Sequence, residues 1–186
     1  MYGLVNKALE DMVTARHGEA VWGRIRAAAG VDVAVFLSTE GYPDAVTYDL
    51  VRAASETLGV PAEVLLEQVG AWWVLHTARE NYGHLLAAGG KDLREFLLNL
   101  PNFHTRISLL LPKLQPPEFE CTDVRALSLR LHYRSTRAGL APFVTGLIHG
   151  LGEMFVTEVD VSHAERREDG AAHDVFLVEC RRPLEA

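Results

Sequence analysis

The hydrophobic pattern of this chain turns from helical spacing to alternation at Pro116-Pro117, and that change limits the possible fold more than any other feature. Before it, apolar residues recur at helical spacing. Leu4, Ala8, Met12 and Val13 mark one face of a first helix ending near His17-Gly18, and Val21 to Ala29 form a second, stopped by Gly30. Val31 to Pro43 read as turn and loop, punctuated by Gly41, Pro43 and Asp44. A third helix is expected from about Ala45 to Leu58. Pro61 opens a fourth, where its fixed φ and missing N–H suit a first helical turn, and this helix continues through Leu65, Val69, Trp72 and Trp73 to Ala78. Gly89 and Gly90 break the next segment. Asp92 is placed to cap a helix carrying Leu93, Phe96, Leu97 and Leu100.

After Pro116-Pro117, alternation takes over. Glu118 to Thr122, Ala126 to Arg134, Phe155 to His163 and His173 to Arg181 read as strands, with a helix over Ala141 to Met154 between the second and third. Glu165 to Ala172, charged and Gly-containing, suits a hairpin turn. Helices first and an antiparallel four-stranded sheet second, with one inserted helix, make an α+β domain. There is no internal repeat or obvious linker, so residues 1–186 are expected to form one domain, within the usual size range for 186 residues.

Composition excludes more than it assigns. The net charge is −7, and Arg166 and Arg167 sit beside Glu165, Glu168 and Asp169, so no basic patch invites a nucleic acid. No stretch approaches the ~20 apolar residues that span a bilayer. The start, Met-Tyr-Gly-Leu-Val-Asn-Lys, lacks the basic and long apolar regions of a signal peptide, and a cytoplasmic protein is expected. Two cysteines, Cys121 and Cys180, are too few for a disulfide framework and read as apolar strand residues. No phosphate-binding Gly-rich loop, HExxH or GxSxG is present. Histidines 17, 76, 84, 132, 149, 163 and 173 are scattered singly along the sequence.

Two segments carry more. In Leu100-Pro-Asn-Phe-His104-Thr-Arg-Ile-Ser-Leu-Leu-Leu-Pro112, His104 lies among Phe103, Ile107 and Leu111. An imidazole facing an apolar cavity suits an axial iron ligand, because its neutral nitrogen donates to the metal while the walls exclude water. A core histidine hydrogen-bonded to a carbonyl would look the same. In Tyr133-Arg-Ser135-Thr-Arg137, a strand's period of two puts two hydroxyls and a guanidinium on one face. That set makes a carboxylate clamp, or else a solvated strand face.

Together the two segments resemble the H-NOX (heme nitric oxide/oxygen-binding) family, whose signature is a proximal histidine upstream of Tyr-x-Ser-x-Arg. The likeness runs from Met-Tyr-Gly-Leu-Val-Asn-Lys through Val69-Gly-Ala-Trp-Trp73, Pro116-Pro117 and Gly139-Leu-Ala-Pro-Phe143 to Gly146-Leu-Ile-His-Gly150. It is strongest to cyanobacterial-type members and extends to the heme domain of soluble guanylate cyclase. The resemblance implies heme b (iron protoporphyrin IX) held between a helical distal part, about residues 1–60, and a proximal part, about 61–186. His104 becomes the iron ligand. Tyr133, Ser135 and Arg137 hold the propionates, and Pro117 presses on the porphyrin. Val5, Leu147 and the neighbouring Phe143 belong to the distal pocket.

The resemblance also implies the gas. O2-binding members place a distal tyrosine as hydrogen-bond donor to the ligand, and the matching position here is expected to be Pro142, which has neither hydroxyl nor N–H. Trp73 falls near a second distal position, where its indole either donates weakly or simply crowds the pocket. NO and CO are therefore expected to bind and O2 to be excluded. Rupture of the Fe–His104 bond to give a five-coordinate nitrosyl would convert binding into shape. No output domain is expected after the sensor, so the signal is expected to pass in trans to a histidine kinase or diguanylate cyclase, from a monomer. An O2-binding sensor and a heme-free ligand-binding or scaffold module are the alternatives. A heme peroxidase or dioxygenase would need a distal acid/base pair that Pro142 and an apolar surround do not offer, so no catalysis is expected.

Overall fold

A computed structural model of the chain describes residues 1–110 and 115–181. Leu111 and Pro112, the end of the His104 segment, lie outside the described residues. The helical part comprises α1 (Gly3–His17), α2 (Glu19–Ala29), α3 (Asp44–Leu58), α4 (Ala62–Trp72), α5 (Arg79–Ala87), α6 (Leu93–Leu98) and α7 (Leu100–Leu110). Then come β1 (Glu118–Thr122), β2 (Ser128–Arg134), α8 (Ala141–Met154), β3 (Val159–Glu165) and β4 (Asp174–Cys180). The four strands form one antiparallel sheet in the order β1-β2-β4-β3. The expected α+β class, four-stranded sheet and inserted helix are all present.

Local chemistry accounts for most boundaries. Gly30 and Gly59 end α2 and α3 at positive φ, 65° and 66°, where a side chain is disfavoured. Asp92 caps α6 as expected, accepting from the Glu95 N–H at 2.7 Å, while the Glu95 carboxylate takes the Lys91 N–H at 2.9 Å. The third strand differs. Expected from Phe155, it begins at Val159, because Phe155 and Val156 instead close α8 by returning their N–H groups to Leu151 and Glu153. Phe155 then packs on Phe96, with ring centroids 5.7 Å apart.

Between α4 and α5 the backbone does not stay α-helical. Trp73–Ala78 forms a π-helical turn, and Tyr82 kinks α5 at φ −136°, ψ 20°. Wider turns of this kind cluster at functional sites because they re-aim side chains. α4 is pressed against α8 at backbone distance: a Cβ on Gly70 would lie 2.3 Å from the Phe143 carbonyl oxygen, and one on Gly146 2.0 Å from that of Glu67. Two apolar cores result. One, built on Leu9, Met12, Ile25, Leu50 and Leu65, sits among α1–α4; the other, built on Leu93, Leu97, Leu131, Ile148 and Phe176, lies between the later helices and the sheet. Trp73 touches both.

Candidate heme-binding cavity

Where the two cores meet, the chain leaves a cavity with an empty volume of about 1080 Å³, its mouth included. Of the side chains singled out by sequence, His104, Tyr133, Ser135, Arg137, Pro117, Val5, Trp73, Phe143 and Leu147 all line it. Pro142 does not. Near the start of α8 the cavity wall is made by Phe143 and Val144, with Phe143 one turn before Leu147 and on the same helix face. Phe143, itself expected in the distal pocket, stands there. The chemical consequence is unaltered, since a phenyl ring offers no hydrogen-bond donor.

His104 projects from α7. Its ring stacks on Phe119 of β1, with centroids 5.4 Å apart at 29°, and lies 6.0 Å from that of Phe103. Nδ1 is buried and has no hydrogen-bond partner. Burial pushes its pKa down to about 4, so the ring is neutral at neutral pH and its lone pair is available to a metal. Such a buried, unpartnered polar atom calls for a partner that is not part of the polypeptide.

Tyr133 ends the buried face of β2, its ring 5.4 Å from that of Phe119. Burial raises its pKa, so its phenol keeps its proton and can donate. Ser135 and Arg137 do not continue the strand, as the period of two had suggested; β2 stops at Arg134 and the loop beyond it carries them to the cavity. The Ser135 hydroxyl accepts the Arg137 backbone N–H at 3.1 Å. The Arg137 side chain donates from Nε to Asp44 at 3.0 Å and from Nη1 to the Gln115 carbonyl at 3.1 Å. Asp44 also accepts from the Met1 α-ammonium. That bond first, and Arg137 next, hold its carboxyl below the usual carboxylate range. A fixed cation flanked by two hydroxyls is the chemistry of a carboxylate clamp.

The rest of the wall is apolar, with Leu86, Phe103, Ile107 and Val144 prominent. Donor-bearing side chains stand among them, Tyr2 at the start of α1 included. The Trp73 indole N–H is buried with no partner, and Tyr82, which sequence reasoning missed, lines the cavity from the kink in α5. No local pattern announces Tyr82, because a backbone irregularity delivers it. Fit to a heme is thus supported on three counts: a neutral unpartnered imidazole, an apolar slot, and a clamp for two carboxylates. Histidines scattered along the sequence are in part paired in space: His132 with His173, and His163 with Asp174, at 2.8 Å each.

Cys121 and Cys180 are free thiols. Cys121 donates weakly to the Leu97 carbonyl at 3.5 Å, and burial pushes its pKa up to about 11. Among the described residues, no helix is long and apolar enough to cross a membrane.

Comparison with known proteins agrees with this geometry. The family model described as Haem-NO-binding matches residues 2–163. Soluble guanylate cyclase gcy-35 of Caenorhabditis elegans is 32% identical over 189 residues, covering 96% of this chain and 26% of its own length; gcy-31 of the same organism is 28% identical, covering 88% and 24%. The chain thus spans about a quarter of the length of these relatives. An H-NOX protein from S. oneidensis in the Fe(II)NO state has the same fold, with a TM-score of 0.88 at 21% identity over 98% of this chain and 100% of that one. A variant H-NOX protein from K. algicida, unliganded Fe(II), gives 0.86 at 23% over 98% and 97%.

Proposed function

The chain belongs to the Haem-NO-binding family, and from that premise we propose that it is a gas sensor holding heme b (iron protoporphyrin IX), which binds NO and CO and excludes O2. The observation that carries this reading is His104: a neutral imidazole, its Nδ1 buried and unpartnered, on the wall of an apolar cavity that also contains a carboxylate clamp. When bound, the heme would supply an iron atom able to take diatomic gases.

The chain's own residues do the rest. His104 is the iron ligand and α7 its carrier. Tyr133, Ser135 and Arg137 hold the two propionates, with Arg137 oriented in advance by Asp44 and Gln115. Pro117 packs on the porphyrin from the loop before β1. Val5, Phe143 and Leu147 give the gas pocket apolar walls on the α1 and α8 sides. Residues 1–60 form the distal part and 61–186 the proximal part of one sensor domain. Release of His104 from iron would free α7 to move against β1, on which its ring now stacks, and thereby change the surface offered to a partner. The partner proposed is a histidine kinase or diguanylate cyclase acting in trans, with the sensor itself a cytoplasmic, non-catalytic monomer.

Pyridine hemochrome analysis tests the reading. It should give one heme b per chain after expression with ample heme, and CO should shift the Soret band of the reduced protein. A chain that takes up no heme would instead be a ligand-binding or scaffold module of the same fold. A second reading, an O2-binding sensor, is favoured by the unpartnered Trp73 indole and by Tyr82. A ferrous spectrum that changes stably in air would establish it.

A further inference from the structure

On the outer face of the sheet, turned away from the cavity, two histidines meet beside a glutamate. β2 alternates, so that Leu131 and Tyr133 face the core while His132 between them faces outward. His173 reaches the same place from the turn before β4, because its neighbour Asp174 is the register partner of Tyr133. Nδ1 of His132 and Nε2 of His173 are 2.8 Å apart. The other nitrogen of His132, Nε2, lies 2.7 Å from Oγ1 of Thr122. Glu120 on β1 is the register partner of His132, and its negative charge acts on that ring.

Two imidazole nitrogens this close share a proton or, after parting slightly, a metal ion. With Zn–N bonds of about 2.0–2.1 Å and tetrahedral angles, ligand nitrogens sit roughly 3.3 Å apart, so the pair must open by only about 0.5 Å. The Thr122 hydroxyl can accept the Nε2 proton of His132, which suits the tautomer with Nδ1 free to coordinate, as the outer partners of metal-bound histidines do. Among the described residues no three such groups are already clustered at metal-binding distance, so a third ligand must swing in. Glu120 is the candidate, at cross-strand distance from His132; to join, it must leave Arg134, which donates to it at 3.1 Å. Arg130 and Arg134 act on the same ring and oppose a cation, which favours a site of modest affinity.

We propose that His132 and His173, with Glu120, form a surface site for a divalent transition-metal ion of the zinc class, water completing the shell. The ion would clip β2 to the turn entering β4, one residue from Tyr133.

Calorimetric titration of the purified full chain with Zn2+ tests this directly. One equivalent should bind, with affinity lowered at least about tenfold in His132→Ala and in His173→Gln, and less in Glu120→Gln. His17→Ala, at the exposed end of α1, should leave it unchanged. Far-UV circular dichroism checks that each variant is folded, and His173→Gln, in a partly exposed turn, keeps the test available if His132→Ala is not. No uptake by the parent chain, or uptake undiminished in the folded histidine variants, would overturn the proposal.

Discussion

Asp44 and Arg137, 93 positions apart in sequence, are joined by a 3.0 Å hydrogen bond from the guanidinium Nε to the carboxylate. The contact ties the first residue of α3 to the loop after β2, and so links the helices around one side of the cavity to the clamp on the other. A guanidinium held at one edge presents its remaining N–H groups in a fixed direction.

Asp44→Ala should therefore loosen the clamp without abolishing it. The Asp44 side chain is 39% exposed, which keeps the pair within the ~0.2–1 kcal/mol typical of solvent-screened ion pairs, a faster heme loss of up to about fivefold. Transfer of heme to excess apomyoglobin measures it. A loss rate equal to that of the parent would show that Gln115 alone orients Arg137.

His104→Gly should lose heme during purification and regain it when imidazole is supplied to fill the space left by the side chain. The Soret absorbance per chain, with and without imidazole, reads this out. Heme retained at parental stoichiometry without imidazole would move the iron ligand elsewhere.

In the heme-free chain, His104 should make stability pH-dependent. Burial holds its folded-state pKa at about 4, below the ordinary value of 6.5, so the unfolded chain binds the proton more readily between those values. Stability is then full above pH 6.5 and falls as pH drops toward 4, by a contribution on the order of 3 kcal/mol. Urea unfolding of the apo-chain from pH 7.5 to 4 should show the decline, and His104→Leu should flatten that part of the curve.

Gly146→Ala should destabilise the fold. A methyl group there would meet the Glu67 carbonyl oxygen at 2.0 Å, a backbone atom that cannot swing aside. The clash outweighs the gain of ~1 kcal/mol in helix propensity. A net cost of about 1–3 kcal/mol is expected, seen as a Tm lower by roughly 2–10 °C for a chain of this size.

Phe143→Tyr should add to the cavity the donor that α8 lacks. Its hydroxyl would join the cavity wall that Val5 and Leu147 also line, and the reduced, heme-loaded variant should hold O2 in air where the parent does not. An unchanged spectrum in air would mean that the α8 position does not govern the gas.

Much of this was legible in the sequence. The change of hydrophobic period at Pro116-Pro117 divided the first seven helices from the sheet and its inserted helix, and Gly30, Gly59 and Asp92 punctuated the helices where the structure ends or caps them. His104 could be placed among apolar neighbours by local spacing. Long-range geometry could not be read this way. The Asp44–Arg137 bond and the His132–His173 pair join residues 93 and 41 positions apart, and nothing local couples them. Tyr82 is brought in by a kink that a regular helical period conceals. Pro142, second residue of α8, stays off the cavity wall that its neighbours Phe143 and Val144 reach, and no local pattern in the sequence separates the three.

The central claim is that His104 and the clamp hold a heme whose pocket admits NO and rejects O2. The most direct test is the visible absorption spectrum of the purified, reduced protein, recorded anaerobically, then in air, then with NO. A ferrous heme spectrum that is unchanged in air and converted by NO is the predicted result. A stable oxy spectrum would contradict the gas preference, and the absence of any heme band after expression with ample heme would contradict the claim itself.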